Sequence, residues 1–278
     1  MIDTIEIFGN STLQHGRHSN RVYLMSLAPE DLPEIVTYME SLATAEGYTK
    51  IFAKVPATVA PSFRETGFKT EAKIPRFFKR KADAHFMGKY LCPKRKQEKK
   101  PDLVQQLVET AQAKEPVMEP AALDVHLTCR RVTLDDAGQM AELYRQVFAS
   151  YPFPIHDPAY LIETMEENVI YHGIWDGPEL LALASAEMDR VQANAEMTDF
   201  ATRPDCRGKG LAQVLLAVLE ETAAAEGIRT AYTIARSYSA GMNITFAKND
   251  YQFSGTLTNN TNISGGLESM NVWHKPLS

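Results

Sequence analysis

The chain has 278 residues, 44% hydrophobic and 23% charged, a profile that excludes a disordered protein and leaves room for two modest domains. Its formal net charge of -6 offers no basic stripe to neutralise phosphates, so no nucleic-acid partner is expected. Three widely spaced cysteines, Cys92, Cys129 and Cys206, form no CxxC pair and point to neither a disulfide framework nor a metal centre.

The N-terminus carries Asp3 and Glu6 and no apolar h-region, and no run approaches the roughly 18 apolar residues of a membrane span. The expectation is a cytoplasmic protein without a membrane partner. Thr4 to Phe8 and Arg21 to Ser26 alternate as strands, and Pro29 to Glu46 has the period of an amphipathic helix. Lys50 to Val55 reads as a strand. A short helix through Ser62 to Glu65 then ends at Gly67, a residue suited to a left-handed C-cap, and Phe68 opens an extended piece. This α/β unit closes at Leu91, giving a first domain over 1–91.

Between 92 and 125 the prolines and the run Lys94 to Lys100 mark a linker with one helix, Asp102 to Ala113; the basic run is read as a solvated linker in preference to a site for an anionic partner. Signals are denser over 126–278. His126 to Arg131 reads as a strand, Leu134 to Ser150 and Pro158 to Glu166 as helices, and Ile170 to Trp175 and Leu180 to Met188 as strands joined by a turn at Gly177. Ala195 to Thr202 is a strand, followed by a glycine-rich turn and a long helix from Leu211 to Glu226 that Gly227 stops. Arg229 to Arg236 is a strand, Ala240 to Asn249 a short helix, and Tyr251 to Leu257 with Met270 to His274 the last strands.

One internal echo stands out. Ser62 to Phe68 leading to Phe86 to Leu91 parallels Thr245 to Tyr251 leading to Val272 to Leu277, each reading as short helix, two strands and Lys-x-Leu. The N-terminal unit is therefore a candidate degenerate copy of part of the C-terminal one, the alternative being an unrelated α/β piece.

The turn Arg207-Gly208-Lys209-Gly210-Leu211-Ala212 sits between a strand and a helix, where unpaired N–H groups and the helix dipole make an anion site. Its glycines let the main chain approach a diphosphate, and Arg207 and Lys209 add positive charge. It lacks the Gly-Lys-Ser/Thr of a P-loop, and no βαβ crossover precedes it, which speaks against ATP and dinucleotides.

Arg-x-x-Gly-x-Ala in this setting resembles motif A of the GNAT N-acetyltransferase superfamily, and the resemblance runs over roughly residues 126–277. It implies an α/β (α+β) fold with a mixed, mostly antiparallel sheet flanked by helices, acetyl-CoA as co-substrate, and no metal. Arg207 to Ala212 would hold the pyrophosphate, and Phe200, Ala201 and Thr202 would offer main-chain groups to the pantetheine amides. Asn243, on the short helix, would bond the pantetheine arm.

An amine with a pKa of about 10.4 must lose a proton before it attacks a thioester. Two acids lie on the strand before the turn, Glu196 and Asp199, and their odd spacing predicts opposite faces. In the histone-acetyltransferase branch of the superfamily a glutamate lies eleven positions before the motif, which here is Glu196, the candidate general base; Asp199 is its competitor. The tyrosine that protonates the thiolate in many relatives falls on Phe246, leaving Tyr232 and Tyr238 as substitutes.

For the acceptor, Asn20 to Met25, Ala195 to Thr202, Thr233 to Arg236, Asn259 to Thr261 and Glu268 to Trp273 resemble the β-lysine N6-acetyltransferases, whose product is an osmolyte. The resemblance implies a small diamino acid as substrate. Tyr151 and Phe153, with Asn260 and Glu268, would shape its pocket. Asp199, Glu268 or Asp157 would meet the ammonium groups and Arg21 or Arg236 the carboxylate. Another small amine, a protein lysine, or CoA binding without turnover are the alternatives. The N-terminal unit is read as a wall of the acceptor pocket in preference to a lid or a dimer surface; a homodimer is compatible with the sequence.

Overall fold

A computed structural model describes residues 3–117 and 122–278; residues 118–121, inside the expected linker, lie outside the described residues, as do Met1 and Ile2. The N-terminal half comprises β1 (Thr4–Phe8), β2 (Ser11–Gly16), β3 (Arg21–Ser26), α1 (Glu34–Glu46), β4 (Lys50–Pro56), α2 (Ala60–Glu65), β5 (Lys69–Phe78) and β6 (Ala82–Tyr90). After α3 (Pro101–Gln112) come β7 (Leu127–Arg131), α4 (Ala137–Val147), α5 (Pro158–Glu167), β8 (Val169–Asp176), β9 (Glu179–Asp189) and β10 (Asn194–Thr202). The chain ends with α6 (Leu211–Ala225), β11 (Thr230–Arg236), α7 (Ala240–Lys248), β12 (Gln252–Ile263) and β13 (Gly266–Pro276).

Two expected helices begin later than their periodicity suggests. Pro33 divides the stretch Pro29–Glu46 into a single 3-10 turn and α1, since the residue before a proline is driven out of the helical region. At the other, a capping box between Thr133 and Asp136 closes a 3-10 turn before α4 begins. Strand β2, polar and short, carried too little alternation to be read.

All strands join one sheet in the order β1-β2-β3-β4-β6-β5-β12-β13-β11-β10-β9-β8-β7. The order β1-β2-β3-β4-β6-β5 recurs as β8-β9-β10-β11-β13-β12, with the same senses throughout. In each, the third and fourth strands are parallel and every other neighbour pair is antiparallel. Helices α1 and α6 occupy the equivalent crossovers, and α2 and α7 precede equivalent hairpins. The echo between Ser62–Phe68 and Thr245–Tyr251 thus falls on corresponding elements. The halves meet through the equivalent strands β5 and β12, paired antiparallel at Ala72↔Gly255, as a pseudo-two-fold axis requires.

Apolar faces set the layers. Val22, Leu24, Ile51, Ala53 and Val55 turn to α1, while their strand neighbours Tyr23 and Phe52 face a core shared with Tyr232 and Met270 of the other half. Leu215, Leu216 and Leu219 bury one face of α6 on β8, β9 and β10. At the seam, Gly255 has φ 142°, and a Cβ there would lie 2.2 Å from the Glu71 carbonyl oxygen and 2.8 Å from Ala72 Cα. Backbone cannot swing aside as a flexible side chain would. Gly255→Ala is therefore expected to destabilise the chain by about 1–3 kcal/mol, read as a lower urea midpoint at unchanged m value. An unchanged midpoint would mean the seam opens without cost.

Candidate active site

Strands β10 and β11 are paired for only three positions, Asn194↔Thr230, Ala195↔Ala231 and Glu196↔Tyr232. Beyond Glu196, β10 stays with β9 while β11 follows β13, so the two part. The edge of Phe200, Ala201 and Thr202 that faces β11 is left without a strand partner, which suits an extended ligand bearing amides. Ala201 buries its side chain and offers main chain alone; Phe200 packs edge-on against Phe246, ring centroids 5.5 Å apart.

At the end of β10 the turn carries Gly208 and Gly210 at φ 81° and 77°, left-handed values that favour glycine. Gly210 caps α6 without a side-chain bond, and the first backbone bonds of the helix run from Gln213 and Val214 to the Gly210 oxygen. Among the described residues, the N–H groups from Arg207 to Ala212 find no backbone acceptor. Arg207 and Lys209 are exposed, whereas the Leu211 side chain lies in the core, so Leu211 contributes its N–H. The donor set fits a diphosphate.

Below the parted strands lies a cavity of about 890 Å³ lined by both halves. Arg21, Tyr23 and Met25 of β3 and Phe52 and Lys54 of β4 face it from one half. From the other come Glu196, Thr198 and Asp199 of β10, Tyr232 and Arg236 of β11, Tyr151 and Phe153 from the α4–α5 connection, and Asn260 of β12.

The expected opposition of Glu196 and Asp199 is corrected by a bulge. The register of β10 with β9 slips between Thr198 and Ala201, and Asp199 takes φ 55°, which resets the alternation so that both acids line the cavity. Glu187 of β9 lies directly opposite Glu196 in the ladder and lines the same cavity. Like charges directly opposite in a sheet are destabilising, so this pair is a signal the strand register could have supplied.

Burial, chiefly, with the Glu187 charge second, pushes the Glu196 carboxyl up to about 7, while Lys54 and the Tyr232 hydroxyl pull the other way. Lys54 Nζ donates to Tyr232 Oη at 3.0 Å. Asp199 is anchored differently. Ser185 Oγ donates to one of its oxygens at 2.6 Å and Tyr151 Oη to the other at 2.5 Å; burial still raises its pKa against these bonds.

Several expected contacts are committed elsewhere. Asn243 is fully buried and donates to the Arg236 and Ser239 oxygens, while its amide oxygen accepts from Asn271 Nδ2 and Trp273 Nε1. All four of its hydrogen-bonding positions are filled, so its side chain pins α7 to β11 and β13 instead of serving the pantetheine arm. Glu268 takes the guanidinium fork of Arg236 on both oxygens, at 3.0 and 2.7 Å, and brings no unpaired charge to an ammonium. Asp157 caps α5 through the Ala159 N–H, and the Tyr238 hydroxyl donates to Glu98, which removes both from the pocket's chemistry. Among the cavity residues, sequence reasoning missed Lys54 and Glu187, and it also missed Ser185, which does not line the cavity but holds Asp199.

Among the described residues no cluster of His, Cys, Asp and Glu could hold a metal ion, and no helix is long and apolar enough to cross a membrane. Residues 138–242 match the model of the acetyltransferase (GNAT) family. The chain is 37% identical to a β-lysine N6-acetyltransferase of Methanococcus maripaludis over 98% of this chain and 97% of the relative. It is 32% identical to one of Methanosarcina mazei, over 88% and 97%. N-acetyltransferase YodP of Bacillus subtilis is 31% identical over the full length of both. The chain belongs to the GNAT family and is an N-acetyltransferase. These relatives match along the N-terminal half as well.

Proposed function

We propose that this chain acetylates the N6 amine of β-lysine by direct transfer from acetyl-CoA. The observation that carries the reading is the cavity itself, in which a carboxyl raised to about 7 stands where β10 and β11 part, with Asp199 and Glu187 beside it. Near-full-length similarity to two β-lysine N6-acetyltransferases supports the choice of acceptor.

Acetyl-CoA supplies an acetyl thioester, whose C–S bond breaks as the amine nitrogen forms the new C–N bond. The turn Arg207–Ala212 would hold its pyrophosphate, and the free edge of Phe200–Thr202 its pantetheine amides. Glu196 takes the proton from the N6 ammonium, a task for which a carboxylate near neutrality is matched. Asp199, held by Ser185 and Tyr151, keeps a lone pair on each oxygen for the second ammonium. Acetylation removes one of two positive charges beside one carboxylate and leaves a neutral zwitterion, the charge state of an osmolyte.

The test is a panel of β-lysine, lysine and spermidine with acetyl-CoA, following free thiol and locating the acetyl group by mass spectrometry. β-Lysine is expected to give the highest kcat/KM, with N6 modified. Turnover of spermidine or lysine at an equal kcat/KM would overturn the acceptor.

A further inference from the structure

We infer that Arg21, on β3 of the N-terminal half, is the receptor for the carboxylate of the acceptor, so that the copy without a phosphate turn selects the substrate for the copy that has one. The inference rests on the reading of the acceptor as an amino acid. Where the β10–α6 connection carries Arg207 and Lys209, the β3–α1 connection carries Glu30 and Asp31, and Asp31 accepts from the Asn10 N–H and Ser11 Oγ. The N-terminal half offers no equivalent site for a diphosphate. Among what it sends into the cavity are Arg21, Tyr23, Met25, Phe52 and Lys54.

Arg21 is 4% exposed, lines the cavity, and among the described residues pairs with no carboxylate. A guanidinium is rarely buried unless paired, because its desolvation must be offset. Its Nη1 donates to the Asn260 carbonyl oxygen at 2.8 Å and to Thr261 Oγ1 at 3.1 Å, but Nη2 reaches Gln14 Oε1 only at 3.5 Å and Nε has no acceptor. Gln14 Nε2, beside it, is also buried without an acceptor. Two neighbouring buried groups short of acceptors describe a place for an anion with two oxygens. The Tyr23 and Phe52 rings lie 5.0 and 5.8 Å from the guanidinium and hold it in place before any ligand arrives.

Among the described residues the other cations at or beside the cavity have partners, Arg190 on Glu226 for one. Arg95 is as deeply buried, but it donates to the Asn259, Asn20 and Ser19 carbonyl oxygens and to Thr49 Oγ1. Arg236 is forked on Glu268. Lys54 acts on Glu187 and Glu196, so a carboxylate placed on it would sit among acids. Arg21 and Glu196 line the same cavity from the two halves, so guanidinium and base face one bound acceptor.

The experiment compares acceptors that differ only in the carboxylate: β-lysine, its amide and its decarboxylated diamine. The wild-type protein is expected to turn over the amide and the diamine with kcat/KM lower by about 10²-fold or more, since a site built to pair a group rejects analogues that lack it. In Arg21→Gln the preference should collapse toward one, mainly through KM for β-lysine, and Arg21→Lys should recover part of it. Wild-type turnover of the amide equal to that of the acid overturns the inference, and that arm needs no variant to fold. So does an Arg21→Gln protein of unchanged melting temperature that keeps the preference. Running lysine and ornithine against their diamines separates the two readings. A better α-amino acid acceptor, with the Arg21 dependence intact, sinks β-lysine alone, whereas diamines as the best acceptors sink Arg21 and leave acetyl transfer standing.

Discussion

Glu196→Gln is expected to lower kcat by about 10²–10⁴-fold, the usual contribution of a positioned base, while acetyl-CoA binding persists. The substitution keeps size and shape, and the groups assigned to the pyrophosphate and pantetheine are main-chain groups further along the chain, at Phe200–Thr202 and Arg207–Ala212. The pH profile supplies the sharper evidence. A base works deprotonated, so with the Glu196 carboxyl raised to about 7, kcat/KM of the wild type should rise with pH through that region and level off above it. Glu196→Gln should lack that limb. Asp199 offers a direct contrast, because both of its oxygens already accept bonds, from Ser185 and Tyr151. Asp199→Asn should raise KM for the acceptor more than it lowers kcat and should retain the limb. If instead Asp199→Asn erases the limb and Glu196→Gln preserves it, the two roles are exchanged.

How much of this could be read from the sequence follows from how local each feature is. The turn at Arg207–Ala212 was legible as a strand-to-helix turn because its glycines, its basic residues and its helix start are contiguous, and nothing distant reshapes them. The repeat was legible only where α2 and β6 still share residue types with α7 and β13; its real extent, six strands in the same order, is a property of pairing. Strand alternation failed at Asp199 because one positive φ in a bulge turns the side chain back, and no residue type announces that. Asn243 failed for a related reason. An amide on a short helix looks free to serve a ligand, but Asn271 and Trp273, about thirty residues later, claim its oxygen. Lys54 reaches Tyr232 across 178 positions of sequence, and only the seam between the halves brings them together.

That seam is where the second large effect is expected. Lys50 is wholly buried and lies 2.8 Å from Glu71 Oε2, itself almost inaccessible; Lys50 also donates to the Thr258 oxygen at 2.9 Å, and Glu71 Oε1 accepts the Thr258 N–H at 2.9 Å. The pair thus holds β12 to the N-terminal half at the segment that continues into Asn260 and Thr261, the partners of Arg21. Lys50→Met should cost about 3–5 kcal/mol, because it leaves Glu71 buried and uncompensated. Adding Glu71→Gln should return part of that loss, giving a coupling energy in a double-mutant cycle that an exposed pair would not show. A cost for Lys50→Met of no more than about 1 kcal/mol would place the pair in the solvated class and leave the seam to its apolar contacts. In the surviving folded protein the functional consequence should be ordered: KM for the acceptor rises, since Arg21 loses its backing on β12, while KM for acetyl-CoA moves little, since the turn proposed to hold it lies in the β10–α6 connection, outside that seam.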